Sequence, residues 1–342
     1  MSRAHVAGIG AVTPAGWGMA ALREALGRAA TLPVKETSHP SSPRPFRSRP
    51  VPAPLTRPEF LGHPRLRRSS AISQFALAAS IEALGEDAAH VANGTLRLGL
   101  VFCVSTGCMI YSARFFDEVL REPATASPLL FPETVFNAPA SHLAAYLWTT
   151  AINYTLVGDA STFLHGLALG AAWLIEQRVD GVVVVGAEEN YWTASDAYRR
   201  ISRRTVLTEG AGAIYLSGKP AGSIPVELAA ITDAELFFDQ PTRRAAVRRV
   251  RQQLPAGDAS MLLCDGRTGV ARLDAPEDEA WQDWPGRRLS PQIIFGEAFT
   301  AGVAWQCAAA LDALRQGTAT SALISTAGGN EAAIGAHFQA IP

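Results

Sequence analysis

NYTLVGDASTFLHGLALGAAWLIEQRVDGVVVVGAEEN, residues 153–190, decides the architecture. A short strand at 154–157 runs into a sharp turn, Gly158-Asp159-Ala160-Ser161-Thr162. A helix over 163–177 follows, apolar almost all round, and then a second strand at 182–185. A helix without a polar face belongs between layers of a protein rather than on its surface, so 163–177 is predicted to be a central, buried helix.

The same arrangement returns near the C-terminus. Gly296-Glu297-Ala298-Phe299 opens an alanine-rich apolar helix that ends near Gln316-Gly317, and a strand at 322–325 leads to Gly328-Gly329-Asn330. The helix-to-strand spacings of the two copies agree to within about two residues, the signature of an internal duplication. The expected fold is α/β with five layers, built from two duplicated βα halves with central buried helices. The halves are taken as 1–217, containing a Pro/Arg-rich loop at 33–58, and 218–342, joined in one compact unit. Among common folds the thiolase fold has this duplication.

Composition suits that expectation. At 342 residues with 48% hydrophobic and 18% charged residues, the chain can bury large sheets and is not a disordered polymer. A net charge of −1 gives no global basic excess for nucleic acid. Cys103, Cys108, Cys264 and Cys307 lie far apart without CxxC spacing, so neither a zinc site nor a disulfide framework is expected, and a reduced, cytoplasmic setting is. No metal or cofactor is expected. The N-terminus lacks the pattern of a secretory signal, and the apolar run at 163–175, broken by His165, is too short for membrane insertion.

Elsewhere, 5–12 reads as a strand closed by Thr13-Pro14-Ala15-Gly16 before a helix at 19–26. Crowded proline, serine and arginine make 33–58 an expected irregular, exposed loop. Helical spacing from Ile72 to Leu84 ends at Gly85, and 98–104 is a continuous apolar strand. Pro128, Pro132 and Pro139 mark a long loop before another apolar helix.

Five pieces in order give a specific resemblance: 6–16 (VAGIGAVTPAG), Ser127-Pro128 with Phe131-Pro132, Asn137-Ala138-Pro139-Ala140-Ser141, Asp180-Gly181-Val182 through Gly186-Ala187-Glu188, and Glu209-Gly210-Ala211-Gly212-Ala213. Together they resemble the β-ketoacyl synthases of the thiolase superfamily over nearly the whole chain. The resemblance implies a nucleophilic cysteine at the head of the first buried helix, where backbone N–H groups and the helix dipole lower a thiol pKa, and two histidines from the second half.

None of these is present. Counting back from Asp180 and Glu188 puts Ala160 at the cysteine position. The first histidine position is Asp265 and the second is Glu297; Gln292 stands for the expected lysine and Ala327 for the gate phenylalanine. No independent activity is expected. The resemblance implies a chain-length-factor-like subunit, forming a heterodimer with an active ketosynthase homologue in type II polyketide, fatty-acid or aryl-polyene synthesis. The strand at 153–157, with Asn153, Tyr154 and Thr155, would pair across the dimer, and Phe163, His165 and Ala327 would lie by the tunnel and interface.

Two alternatives stay open: a homodimeric scaffold, and an acyl transferase or hydrolase using Ser161. Ser161 has no evident base in the sequence and reads more simply as a helix cap, and His165 as a core histidine. Arg199, Arg200, Arg203 and Arg204 are candidates for docking an acidic acyl carrier protein. The arginines from Arg243 to Arg251 read as a solvated helix face.

Overall fold

A computed structural model describes residues 3–42, 44–67, 69–329 and 331–341. Asn330, the last residue of the second glycine turn, and residue 43 of the Pro/Arg-rich loop lie outside the described residues.

In the first half β1 (His5–Thr13), β2 (Gly16–Trp17) and α1 (Met19–Arg28) lead to β3 (Lys35–Thr37), β4 (Phe46–Arg49), α2 (Ala71–Leu84), α3 (Asp87–Ala92) and β5 (Leu98–Val104). Then come α4 (Met109–Arg121), α5 (Ala138–Leu147), β6 (Asn153–Val157), α6 (Thr162–Ile175), β7 (Gly181–Glu188), α7 (Trp192–Tyr198), β8 (Leu207–Thr208) and β9 (Gly210–Ser217). The second half holds β10 (Val226–Ile231), β11 (Glu235–Leu236), α8 (Gln240–Gln253), β12 (Met261–Asp265), α9 (Ala271–Ala280), β13 (Arg287–Leu289), α10 (Pro291–Phe295), α11 (Phe299–Arg315), β14 (Ser321–Ala327) and β15 (Ala332–Ala340).

The strand order shows the duplication. One half runs β1-β9-β7-β5-β6 and the other β10-β15-β14-β12-β13, with β1 against β10 at the join. In both, the first two pairings are antiparallel and the last two parallel. The helices α6 and α11 precede equivalent strands, β7 and β14.

Alternate residues of one strand face different layers. In β5, Val101 and Cys103 join α6 and α11 in the central core, whereas Leu98, Leu100, Phe102 and Val104 pack with α2 and α5 outside. In β12, Leu262 and Cys264 face the centre and Leu263 faces α8. Five layers result: helices, half-sheet, α6 with α11, half-sheet, helices. Close layers need glycine at Gly186, where a Cβ would stand 2.4 Å from the Thr300 carbonyl oxygen of α11.

Two expectations are corrected here. The segment 33–58 is not irregular throughout: β3 and β4 pair antiparallel, and β4 pairs parallel with β8. The hairpin exists because β8 supplies a partner from far along the chain, which local propensity does not register. Likewise α6 is not covered on every side. His165 and Ala168 are exposed, so His165 is not a core histidine.

Candidate functional site

The head of α6 is set by the turn leaving β6. Gly158 is required there, because a Cβ would lie 2.3 Å from Thr162 Oγ1. Asp159 Oδ1 accepts both the Ser161 amide, at 2.9 Å, and the Ser161 hydroxyl, at 2.6 Å. Ala160 is buried, and Ser161 is only 1% exposed. Position 160 thus ends in a methyl group, and the adjacent hydroxyl is inside the protein. Sequence reasoning missed Asp159 as a base for Ser161, although an aspartate two residues before a serine is a known side-chain-to-backbone turn pattern. Burial raises the Asp159 pKa, with the Ser161 hydrogen bonds acting in the opposite direction.

Glu297 approaches the same region from the second half. Gly296 before it has φ 98°, and a Cβ there would meet the Val206 carbonyl oxygen at 2.7 Å. The Glu297 carboxylate accepts the Phe299 amide at 2.8 Å, holding that residue at φ 45° at the start of α11. Burial pushes Glu297 up to about 6; Asp159 also raises it and Arg243 lowers it. Gly328 packs on Asp159 so tightly that a Cβ would overlap its carboxylate, and the Ala327 carbonyl accepts Arg243 Nη2 at 3.1 Å. Gln292, in α10, accepts the Gln306 side-chain amide at 3.1 Å, both groups being buried.

Asp265 sits in a different network. Its carboxylate accepts Ser290 Oγ at 2.6 Å, the Arg267 amide at 3.1 Å and side chain at 3.3 Å, and Arg288 Nε. Both arginines also reach Asp278. Four donors thus converge on this one buried carboxylate. Beside it, burial first and Asp265 second push Glu277 up to about 8. Glu277 accepts Gly266 N–H at 2.9 Å and Ser325 Oγ at 3.0 Å. An ion-pair core therefore surrounds Asp265.

Glu188 ties the two halves together and had no predicted role of this kind. One oxygen accepts Ser105 N–H at 2.7 Å and Thr300 Oγ1 at 2.8 Å; the other accepts Thr106 N–H at 3.0 Å and Thr106 Oγ1 at 2.7 Å. Burial raises its pKa while these four donors hold it down.

Phe163 is wholly buried in the central core, so it lines no opening. Asn153, Tyr154 and Thr155 lie on β6, which pairs with β5 on one side and ends the sheet on the other. Tyr154, 50% exposed, stands edge-to-face on Trp173 at 5.3 Å, and Val157 is 54% exposed. No residue of α4 is buried among the described residues, and Phe116 is 60% exposed. Between α4 and the start of α7 lies an apolar groove of about 600 Å³ along Thr106, Met109, Ala113, Phe116, Tyr191 and Trp192. Sequence reasoning missed it, although Met109, Ala113, Phe116 and Leu120 have the spacing of one helix face.

Arg199, Arg200 and Arg203 converge with Arg44 and Arg47 on a cavity of about 480 Å³, and Arg204 does not line it. In the Arg243–Arg251 run Arg244, Arg248 and Arg249 are exposed, the first two paired with Glu279 and the third with Glu235, as a solvated face; the correction is Arg243, which is buried. Among the described residues no helix is long and apolar enough to cross a membrane.

No protein-family model matches the sequence, and no curated protein does. Solved structures do. The ishigamide ketosynthase/chain length factor superposes with a TM-score of 0.80 at 18% identity, over 99% of this chain and 100% of that one. A type II polyketide ketosynthase, solved with its acyl-carrier protein and bound to the hexaketide, gives 0.80 at 13% identity over 99% of each chain. A β-ketoacyl synthase from Burkholderia phymatum STM815 gives 0.79 at 16% identity over the full length of both. Likeness over whole chains at such low identity is a likeness of fold, and the chain is built on the thiolase-like architecture of ketosynthases and chain length factors.

Proposed function

We propose that this chain is a ketosynthase-fold subunit without condensing activity of its own, which pairs through β6 with an active β-ketoacyl synthase and shapes the channel for a growing acyl or polyene chain. The observation that carries this reading is Ala160: a methyl group at the head of α6 cannot form a thioester. The saturated Asp265 and the carboxylate of Glu297 also lack the N–H groups that histidines would bring. The open edge of β6 and the uncovered face of α4 are costly to leave in water and fit a closed two-fold pairing.

The apolar groove by α4 and α7 is the place such a chain would follow, with Phe116 and Trp192 against it. A carrier protein would deliver it; the similar type II ketosynthase is in complex with an acyl-carrier protein. The two halves are taken to divide at 217/218, between β9 and β10. The Ser161 alternative gains a proton acceptor in Asp159 but loses access, since the hydroxyl is buried. Co-expression with candidate ketosynthases, size-exclusion chromatography, and a condensation assay with and without this chain test the reading. Retention as a heterodimer with product only when both are present supports it; elongation by the purified chain alone ends it.

A further inference from the structure

We infer that the cavity between the β3–β4 hairpin and the C-terminal end of α7 is a binding site for a small, multiply phosphorylated anion. Arg44 and Arg47 reach it from the hairpin, and Arg199, Arg200 and Arg203 from the chain leaving α7, so five guanidinium groups face the one carboxylate of Asp196. None of the five forms an ion pair with a carboxylate among the described residues. Charges of one sign gathered without counterions repel one another, and a bound polyanion relieves that repulsion while gaining bidentate, charge-assisted hydrogen bonds.

Two further observations point to a ligand. Thr205 lines the same cavity, and its buried hydroxyl has no hydrogen-bond partner within the chain. Arg49, buried at the end of β4, has its pKa lowered by burial first and by the charge of Arg47 second. Arg199 also donates to the Pro45 carbonyl at 2.6 Å, which fixes the hairpin against α7 and gives the cavity a set shape. At about 480 Å³ it has the size of a small-molecule site, too small for a folded carrier domain to enter. The inference stands apart from the proposed pairing, because binding is read on this chain alone.

Titration calorimetry of the full chain in 150 mM salt tests it, with inorganic pyrophosphate as probe and sulfate as the comparison. Pyrophosphate is expected to bind at least about tenfold more tightly than sulfate. Arg47→Glu with Arg203→Glu is expected to weaken it by about tenfold or more, and Arg204→Glu, outside the cavity, to leave it within about twofold. Arg44→Ala replaces the double variant if that does not fold by circular dichroism. Equal affinity for the two anions, or unchanged binding in the cavity variants, overturns the inference. So does binding of an apo acyl carrier protein that these variants abolish while pyrophosphate does not bind, since the arginines would then be a protein-docking face.

Discussion

The Ser161 hydroxyl donates to Asp159 Oδ1 at 2.6 Å, inside the protein, at the head of α6. The bond gives the hydroxyl a proton acceptor, yet it also fixes that hydroxyl in the turn that starts α6. The Ser161 side chain accepts no backbone N–H of α6, so Ser161 is not the helix cap its sequence position suggested; the hydroxyl orders the turn through Asp159. Ser161→Ala is therefore expected to cost about 1 kcal/mol of stability through the lost hydrogen bond and to leave the condensing activity of a reconstituted complex unchanged. An acyl-serine probe is expected not to label the wild-type chain. Labelling that disappears in Ser161→Ala would establish the hydrolase reading instead.

The ion-pair core around Asp265 makes a stability prediction. Arg288 supplies one of two guanidinium groups to a carboxylate that is completely buried. Removing one partner of a buried pair leaves a charge uncompensated, so Arg288→Ala is expected to lower unfolding stability by about 3 kcal/mol. Arg248→Ala, which removes an exposed pair with Glu279, is expected to cost less than about 1 kcal/mol. Denaturant titration of both variants compares them, and equal losses would contradict the assignment of Asp265 to a structural network.

Buried carboxylates give the protein a defined pH response. Burial holds Glu297 at about 6, Glu189 at about 7 and Glu277 at about 8, against an ordinary value of 4.5. Over that interval the folded chain keeps protons the unfolded chain has released. Each contribution is thus complete below pH 4.5 and is lost as the pH rises through the folded value, at up to about 1.4 kcal/mol per pH unit. Melting temperature is expected to fall from pH 5.5 to pH 8.5, and to fall less steeply above pH 7 in Glu277→Gln. A stability that rises across this range would be inconsistent with these environments.

Pairing through β6 is testable without disturbing the core. Val157 is more than half exposed at the open edge, so Val157→Asp is expected to change stability by less than about 0.5 kcal/mol. Light scattering after size exclusion is expected to show loss of the dimer with a ketosynthase partner. A dimer that survives would move the interface away from β6.

How much of this was legible in the sequence follows from what each segment depends on. Leu98–Val104 could be read because every residue is apolar and buried on both faces, and the α6–β7 and α11–β14 repeats because their spacing is local. The β3–β4 hairpin was not legible, since β4 is ordered by β8, about 160 residues later. Nor was the exposure of His165, because an exposed position on a helix of apolar neighbours reads in the sequence like a buried one. Counting from Asp180 reached Ala160 in the turn before α6, but the saturation of Asp265 needed Arg288 and Ser290, which approach from another strand and its following turn. Arg44 and Arg47 join Arg199, Arg200 and Arg203 only in three dimensions.

Mass spectrometry of the purified chain, incubated with acyl-carrier and malonyl-carrier substrates, bears most directly on the absence of a nucleophile at Ala160. The account predicts no acyl adduct on this chain with or without a ketosynthase, and β-ketoacyl product only when a cysteine-bearing ketosynthase is added. A covalent acyl-protein or a condensed product formed by this chain alone would contradict it.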